Sequence, residues 1–428
     1  VERFMQSAEG RISVWALARQ YSNIPLINPA HFQYQTWPGQ EQKAILASLF
    51  SQEGEENYKR IVEALGNSYP SSSSPVGTGF SFREREAMID DMVRTTGVKG
   101  APAYQNFDLL IIGGGAAGVA MAWLASLLGF KVVLLEKGDF AQGTSSGSTK
   151  IIHRGGIKYL LVAWKFAFKG EFKQARENLK LVIATSKQSD IIQRLAPDLV
   201  QRILTNVVIT KGGQFNRLEA FVGVWGYYLL SLLRGQIYPM PKFYFTSESI
   251  KRKFPYLDTC RVKGVFSIWD RQTDDARLVF GFAKAAYLKG VKIISYAEVT
   301  RIEEDEEEGF FEIEAKDVIG NNTFNLKARK VINATGPWID KVRKELLGRN
   351  HSLLRLNSGI HLDVYPKIAD TNFAFTASDG RLIFALKRKE SDLEYTRIGT
   401  TDEERKSPDE LLPTSREVKY LVEEVKRP

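Results

Sequence analysis

The sequence predicts an α/β fold in which a Rossmann-like domain is interleaved with a second domain built on an antiparallel sheet. Three observations support this prediction. The stretch 107–136 contains a short apolar strand, a glycine turn, a helix and a second strand, which is the order of a βαβ unit. The stretch 290–329 alternates between apolar and polar residues around two turns, as antiparallel hairpins do. A further strand ends at 333–337 in Asn-Ala-Thr-Gly-Pro.

The composition is that of a globular protein with several domains. Of 428 residues, 59 are Lys or Arg and 50 are Asp or Glu, which gives a formal charge of +9. A hydrophobic content of 43% excludes a disordered or fibrous chain. The single cysteine, Cys260, excludes a disulfide framework and a thiolate zinc cluster, and we expect no metal site. The basic excess is compatible with an anionic substrate or an anionic membrane surface.

The turn after the first strand is the most specific local motif. Gly113 permits a tight turn, Gly115 lets the backbone approach a pyrophosphate, and Gly118 lets the helix pack closely against the strand. The N-terminus of that helix supplies an anion site. Glu136 ends the second strand, where its carboxylate can accept hydrogen bonds from ribose hydroxyls. Because strand, helix and acid all occupy the required places, we predict dinucleotide binding rather than a plain turn.

The loop that follows Glu136 favours FAD over NAD. A simple NAD domain more often enters another helix here, whereas this loop is rich in hydroxyl groups and glycine. Such a loop offers short donors to a second phosphate or to a flavin ring, and a plain polar loop is the alternative. The candidate cofactor ligands in it are Thr144, Ser145, Ser146, Thr149 and Lys150.

A series of short motifs after residue 82 occurs in an order that matches one family. In chain order they are Asp139-Phe140, Gly143 to Ser146, Ser148 to His153, Gly155-Gly156, Tyr159-Leu160, Asp270, Gln272, Asp275 to Leu278, Asn333 to Pro337, Ser358 to His361, Asp379 to Phe384 and Gly399 to Asp402. They resemble the FAD-dependent glycerol-3-phosphate dehydrogenases, the quinone-linked, membrane-peripheral enzymes of mitochondria and bacteria. The resemblance implies an FAD/NAD(P)-binding fold of the glutathione-reductase-like superfamily.

The resemblance also implies roles for individual residues. A base removes the proton of the C2 hydroxyl of glycerol 3-phosphate while hydride passes to flavin N5, which gives dihydroxyacetone phosphate. His361 is the implied base and His153 the second candidate, although a lone histidine is more often structural. A phosphate dianion favours arginine. The implied substrate ligands are Arg355 and Arg381, with Lys158, Tyr159 and Thr401 nearby, and Thr335 and Gly336 are implied to lie against FAD.

The predicted organisation has three parts. Residues 1–80 form an N-terminal extension that ends in a Pro/Ser-rich linker. Residues 81–160 and 270–340 form the FAD-binding domain, and residues 161–269 and 341–428 form the substrate or cap domain. The apolar run from Ala220 to Leu233 has 14 residues, fewer than the ~20 of a bilayer crossing, so we predict no transmembrane helix. A buried core helix and an interfacial helix remain the alternatives for this run.

Several features depart from the family pattern. The loop 153–156 is one residue longer, Gly147 and Lys158 stand where members carry arginine, and Arg271 stands where they carry glycine. The sequence ends at Pro428, before the glycine-rich segment and the helical domain that follow in the family. We therefore expect either that a separate chain or further sequence supplies these parts or that the site is incomplete.

Three functions are compatible with these observations. We favour a dehydrogenase that passes electrons to a quinone and associates peripherally with the mitochondrial inner membrane. The second is a catalytically degenerate member that serves as an FAD-binding or structural subunit of a mitochondrial respiratory assembly. The third is a related oxidase that uses oxygen. The positive charge is dispersed along the chain, so we expect no nucleic-acid partner.

Overall fold

A computed structural model describes residues 80–95, 105–152, 156–211, 216–233, 237–390, 392–410 and 412–428. The predictions for residues 1–79 and for His153 lie outside these ranges. The described helices are α1 (Phe82–Thr95), α2 (Ala116–Leu127), α3 (Gly156–Phe168), α4 (Phe172–Leu195), α5 (Arg217–Leu233), α6 (Ser247–Lys253), α7 (Asp275–Leu288), α8 (Ile339–Leu347) and α9 (Ser415–Val425). The described strands are β1 (Gln105–Ile112), β2 (Val132–Leu135), β3 (Val200–Thr210), β4 (Lys242–Tyr244), β5 (Val262–Thr273), β6 (Lys292–Ile294), β7 (Ala297–Asp305), β8 (Phe310–Asp317), β9 (Thr323–Asn333), β10 (Leu356–Ser358), β11 (His361–Val364), β12 (Asn372–Thr376), β13 (Leu382–Glu390), β14 (Leu393–Gly399) and β15 (Glu403–Arg405).

The chain divides into two compact units. The first takes the described residues up to Ser148 together with Asp274–Leu354, and the second takes Thr149–Thr273 together with Arg355–Pro428. In the sequence prediction, the chain passes from one domain to the other at 160/161, 269/270 and 340/341.

The first unit contains a six-stranded sheet in the order β6-β2-β1-β9-β8-β7. β6, β2, β1 and β9 are parallel, whereas β7, β8 and β9 form antiparallel hairpins. All four residues of β2 are buried, as expected for an interior parallel strand. The core of this unit lies around Leu110, Val133, Phe324 and Leu326. The predicted Rossmann-like α/β fold is confirmed.

One detail of the hairpin prediction was wrong. The alternating pattern of 291–302 indicated a single antiparallel strand, but the structure divides it into β6, parallel to β2, and β7, antiparallel to β8. The break falls at Tyr296, whose φ of 54° is left-handed. Arg85 of α1 holds this corner, because its side chain donates to the carbonyls of Ser295 at 2.8 Å and Tyr296 at 3.2 Å.

The second unit contains a seven-stranded sheet in the order β11-β14-β13-β12-β3-β5-β4. Only β12 and β3 are parallel within it, so the predicted antiparallel sheet is present. β10 and β15 form a separate antiparallel pair. One core cluster gathers around Val265, Phe254 and Ile383, and a second joins α5 to the sheet through Val224 and Phe266.

Helix α5 corresponds to the predicted apolar run and has two different faces. Ala220, Val224 and Tyr227 are buried, whereas Leu218 and Leu233 are among its exposed residues. Among the described residues, no helix combines the length and the apolar character that a bilayer crossing requires.

Candidate functional site

The glycine turn of the first unit brings three backbone segments into close contact. Gly113 has a φ of 110°, and a Cβ on it would lie 2.7 Å from the carbonyl oxygen of Ala334. A Cβ on Gly118 would lie 1.8 Å from the carbonyl oxygen of Gly113. The N-terminus of α2 therefore packs directly on the end of β1, and β9 ends beside the same turn. No other residue type fits at these two positions without moving the backbone.

The predicted cofactor ligands of the first unit surround this turn. The hydroxyl of Ser145 accepts the N–H of Ala116 at 3.0 Å, in the first turn of α2. The carboxylate of Glu136 accepts N–H groups from Gly114 at 2.5 Å and Gly138 at 2.7 Å, which fixes it at the end of β2. The structure thus brings together the residues that the sequence placed around a dinucleotide: Gly113, Gly115, Gly118, Glu136, Ser145 and Thr335.

Four of the predicted ligands take part in local turns of the first unit. The carbonyl of Thr144 accepts the N–H of Gly147 at 3.2 Å, and the Ser146 hydroxyl lies 3.4 Å from the Gly143 carbonyl. The Thr335 hydroxyl donates to Asn333 at 2.6 Å, and Gly336 follows with a φ of 57°. These bonds fix the loops that carry the residues, and the assignment of each residue to FAD stays a prediction.

The predicted base lies in the second unit, at the start of β11. Its Nε2 lies 3.0 Å from the hydroxyl oxygen of Thr149, so these two residues, 212 apart in the chain, share a hydrogen bond. Gly399 of β14 pairs with His361, and a Cβ on that glycine would lie 2.4 Å from the imidazole Cδ2. The ring therefore rests against a bare stretch of backbone. Thr149 and Lys150, predicted as FAD ligands, belong to this unit, and the Thr149 hydroxyl bonds with the candidate base.

The segment 399–405 links the candidate base to both candidate phosphate ligands. The backbone carbonyl of Asp402 in this segment accepts a hydrogen bond from Nη1 of Arg381 at 2.9 Å. Its Glu404 carboxylate binds Arg355 in a bidentate pair at 3.1 and 2.7 Å. Because Gly399 contacts His361, the imidazole and the two guanidinium groups are arranged along one short segment of chain.

Each of the two arginines already has a carboxylate partner. The Arg355 side chain is 77% exposed, and its pair with Glu404 lowers the pKa of that carboxyl below its ordinary value. Arg381 donates through Nε to Asp379 at 2.7 Å and lies over the Tyr420 ring, 5.2 Å from its centroid. The predicted cations are therefore present, but a phosphate dianion has to compete with carboxylates for them.

Thr401 lies beneath this arrangement rather than on its surface. It is 4% exposed, and its hydroxyl donates to Glu417 at 2.9 Å while accepting the N–H of Ile360 at 2.9 Å. Glu417 also binds Arg405 at 2.9 Å. Burial alone raises the pKa of Glu417, but hydrogen bonds from Thr414, Thr401 and Arg405 together hold it below its ordinary value. The hydroxyl that was predicted near substrate is engaged in a structural network.

Two other predicted ligands lie on α3. Tyr159 is 39% exposed, and the side chain of Lys158 lies outside the described atoms. Their roles stay predictions. Among the described residues, no group of three or more His, Cys, Asp or Glu is arranged to hold a metal ion.

The sequence reasoning missed three residues that shape this site. Glu404 and Tyr420 carry no local signal that connects them to an arginine. Glu417 does carry one, because Thr414 and Glu417 form the capping box of α9, whose Thr-x-x-Glu spacing is visible in the sequence.

Comparison with known proteins now defines the class. Residues 108–427 match the family of FAD dependent oxidoreductases, which is 320 of the 428 residues. The chain belongs to this family.

The relatives narrow the resemblance further. The chain is 34% identical over 302 residues to the aerobic glycerol-3-phosphate dehydrogenase of Staphylococcus saprophyticus, covering 70% of this chain and 50% of the relative. It is 32% identical over 329 residues to the enzyme of that name from Staphylococcus haemolyticus, covering 75% and 54%. The chain thus spans about half the length of the curated relatives it matches. The resemblance inferred from the motifs is confirmed.

Two solved structures agree with this placement. The glycerol-3-phosphate dehydrogenase from Bacillus halodurans, complexed with FAD, superposes with a TM-score of 0.57 at 26% identity, over 81% of this chain and 56% of that one. The L-alpha-glycerophosphate oxidase from Mycoplasma pneumoniae, with FAD bound, superposes with a TM-score of 0.51 at 20% identity, over 76% and 78%. The second comparison supports the fold alone.

The residues present fit the family's cofactor, FAD. In the first unit, the glycine turn leaves the backbone bare at the N-terminus of α2, where a pyrophosphate is favoured by the helix dipole. In the second unit, Gln272 Nε2 and Thr273 Oγ1 are buried without a hydrogen-bond partner among the described residues, next to Lys150–Ile152. Buried polar atoms of this kind are normally satisfied, and a bound polar group can satisfy them.

Proposed function

We propose that this chain carries the flavin-binding and substrate-binding parts of a dehydrogenase that oxidises glycerol 3-phosphate to dihydroxyacetone phosphate. The observation that carries the proposal is the segment 399–405, which contacts the imidazole of His361 and the guanidinium groups of Arg381 and Arg355. A polar substrate with a secondary hydroxyl and a phosphate needs one base and fixed cations. These three groups come from different parts of the chain, and all of them contact the segment 399–405.

The hydrogen bond between Thr149 and His361 determines which nitrogen can act as the base. In a neutral imidazole one nitrogen carries a proton and the other carries the basic lone pair. If Nε2 donates to the Thr149 hydroxyl, the lone pair is on Nδ1, and that nitrogen accepts the proton of the C2 hydroxyl. Thr149 then accepts from Nε2 and fixes the plane of the ring. FAD, when bound, supplies the acceptor of the hydride.

Arg381 is better placed than Arg355 to hold the substrate phosphate in a fixed position. Its guanidinium is held by Asp379, by the Asp402 carbonyl and by the face of Tyr420. Arg355 is mostly exposed and is paired with an exposed carboxylate. We therefore assign orientation of the phosphate to Arg381 and the capture of its charge to Arg355.

We propose that a quinone accepts the electrons and that helices α3, α4 and α5 rest on the mitochondrial inner membrane. Exposed aromatic and basic side chains support membrane contact. Phe168 is 79% exposed and stacks on Trp164 at 5.7 Å, and Phe172 is 71% exposed. Exposed Lys165, Lys173 and Arg176 lie on α3 and α4, and exposed Lys169 lies in the turn between these two helices. Apolar anchors beside lysines are typical of helices that lie in an anionic lipid interface.

Vesicle binding tests the membrane part of the proposal. The F168S/F172S variant should lose most of its co-sedimentation with cardiolipin-containing vesicles, and L412S, which changes an equally exposed apolar residue in a loop before α9, should not. Equal loss in both variants, or no binding by the wild type, would argue against these helices. Fractionation of mitochondria tests the compartment, and reduction of a soluble quinone analogue tests the acceptor.

Flavin reduction tests the enzymatic part. Purified protein loaded with FAD should show flavin bands between about 350 and 500 nm that bleach on anaerobic addition of glycerol 3-phosphate. R381M should lose saturable bleaching. R397M should retain it, because Arg397 is likewise paired with a carboxylate, that of Asp363 on the same sheet, but lies outside the segment 399–405.

The principal alternative is a degenerate member that serves as a subunit of a respiratory assembly. It is worth testing because both candidate phosphate ligands, Arg355 and Arg381, are already paired with carboxylates. A yellow protein that does not bleach alone but bleaches after a copurifying chain is added would support a divided enzyme. A yellow protein that never bleaches would support the structural role. Bleaching that reverses rapidly with oxygen, and not with a quinone, would support an oxidase.

A further inference from the structure

A buried arginine in the second unit holds the end of β5, which bonds with the segment that follows Thr149. Arg271 is 1% exposed, and its guanidinium bonds with side chains on α4 and with Tyr238 in the loop before β4. Nε donates to Gln193 at 2.7 Å and Nη1 to Ser189 at 3.0 Å, while Nη2 donates to Asp190 at 2.5 Å and to the Tyr238 hydroxyl at 2.7 Å. A planar guanidinium with this many partners fixes its own backbone firmly.

The backbone of this strand end in turn holds the segment Lys150–Ile152, which directly follows Thr149. Ile152 donates its N–H to the carbonyl of Arg271 at 3.0 Å, and Thr273 donates its N–H to the carbonyl of Lys150 at 2.9 Å. Ile151 and Gln272 form an antiparallel bridge between these two bonds. Thr149 is therefore adjacent to a clamped stretch of chain, and its hydroxyl is the one 3.0 Å from His361 Nε2.

We infer that Arg271 is a positioning residue for His361. Its partners on α4 and at Tyr238 fix the end of β5. The end of β5 in turn fixes Lys150–Ile152 through backbone hydrogen bonds. The position of that segment determines where the Thr149 hydroxyl contacts the imidazole. The effect on chemistry is indirect, since Arg271 contacts neither the imidazole nor the segment 399–405 through any described bond. The importance of the ring for catalysis rests on the proposed function, but its position can be measured independently of activity.

Ring ¹⁵N NMR of His361 is the direct test. The full chain, labelled at histidine and loaded with FAD, is compared at one fixed pH, and the His361 signals are those that disappear in H361Q. T149V removes the hydrogen bond, so its ring shifts should move away from their wild-type values. R271M should move the same signals in the same direction by at least half of that displacement.

A second buried arginine provides the matched control. Arg85 forms a buried ion pair with Asp317 in the first unit and also bonds with backbone carbonyls. R85M should lower thermal stability about as much as R271M and leave the His361 signals at their wild-type positions. A merely structural role for Arg271 predicts that both variants leave the ring signals unchanged.

Two further variants keep the test decisive if R271M does not fold. Replacing both members of a buried ion pair by apolar residues is often tolerated, so R271M/D190L should fold and should still show the displaced signals. Y238F removes a single hydrogen bond and should give a smaller displacement in the same direction. Wild-type signals in folded R271M/D190L and Y238F would overturn the inference.

Kinetics separate this inference from the proposed function. If both hold, R271M/D190L should lower kcat about tenfold and change the KM for glycerol 3-phosphate less than twofold, since a misplaced base affects chemistry more than binding. If the ring signals move as expected but the wild type does not oxidise glycerol 3-phosphate, the proposed function fails and the inference stands. If the wild type oxidises glycerol 3-phosphate but the ring signals stay at their wild-type positions in the variants, only the inference is overturned.

Discussion

Replacing Gly118 by alanine is the most direct test of the cofactor turn. An ideal Cβ at this position lies 1.8 Å from the carbonyl oxygen of Gly113, whereas ordinary contact begins near 3.4 Å. The start of α2 therefore has to withdraw from the end of β1 by about 1.6 Å, the difference between these distances. The backbone oxygen cannot move aside as a flexible side chain could, because Gly113 itself is pressed against Ala334.

Two effects of opposite sign determine the size of the change. Alanine in a helix interior is more favourable than glycine by about 1 kcal/mol. Overpacking typically costs ~1–3 kcal/mol and occasionally more, and an overlap with rigid backbone belongs at the upper end of that range. We expect a net loss of about 2 kcal/mol, which corresponds to a Tm lowered by ~4–8 °C for a domain of this size. Withdrawal of the helix N-terminus also moves the anion site, so FAD affinity should fall at least tenfold, or ~1.4 kcal/mol.

The assay is a thermal melt of the apo protein together with a titration of FAD followed by flavin fluorescence. G226A is the matched control, because Gly226 also lies within a helix but a Cβ there meets only Leu160 Cδ2, at an ordinary 3.4 Å. G226A should leave FAD affinity unchanged and keep or raise the Tm. If G118A behaves like G226A in both measurements, the close contact between α2 and β1 does not exist as described.

Three further outcomes follow from the ion pairs and hydrogen bonds around the candidate site. E404Q should lower the KM for glycerol 3-phosphate about threefold to fivefold, since it releases Arg355 from an exposed and therefore weak ion pair, and a higher KM would contradict this. Burial and a hydrogen bond to the carboxylate of Asp379 raise the pKa of Tyr420 to about 12, so its hydroxyl stays protonated at pH 10. Y420F should raise the KM about threefold at unchanged kcat, because it loosens the hold on Arg381. The pKa of Glu417 is lower in the folded protein than in the unfolded chain, so its carboxylate contributes stability above the unfolded pKa. This stability is lost as the pH falls through the folded pKa. In urea melts, E417Q should therefore lower the free energy of unfolding by ~2 kcal/mol at pH 7 and by progressively less below about pH 4.

The cofactor turn could be predicted from the sequence because its determinants are local. Gly113, Gly118 and Glu136 lie within one βαβ unit, and each is required by the backbone geometry of the residues beside it. The boundary between β6 and β7 could not be predicted in the same way. Its alternating pattern continues across Tyr296, and a positive φ at tyrosine has no counterpart in composition or spacing.

The candidate site was harder to predict, because its contacts join distant parts of the chain. Thr149 was assigned to FAD as one hydroxyl in a polar loop, and only the fold brings it to His361. Thr401 was placed near substrate because it belongs to a family motif, whereas burial directs its hydroxyl to Glu417. A motif identifies which segment matters, but the direction of each side chain within it depends on packing that arises elsewhere.

The ion pairs also indicate how a phosphate can enter a site in which both arginines are already paired. Asp379 accepts the backbone N–H and Nε of Arg381 and the hydroxyl of Tyr420, so displacing it would break three bonds. Glu404 is exposed and, among the described residues, its carboxylate bonds only with Arg355. The phosphate should therefore displace Glu404 and add to Arg381 without displacing Asp379. Salt screens the exposed pair Arg355–Glu404 much more than the partly buried pair Arg381–Asp379. Moderate salt should therefore weaken the competition of Glu404 with the phosphate. The salt dependence of KM should accordingly become steeper in E404Q, where screening acts only on the attraction between the arginines and the substrate.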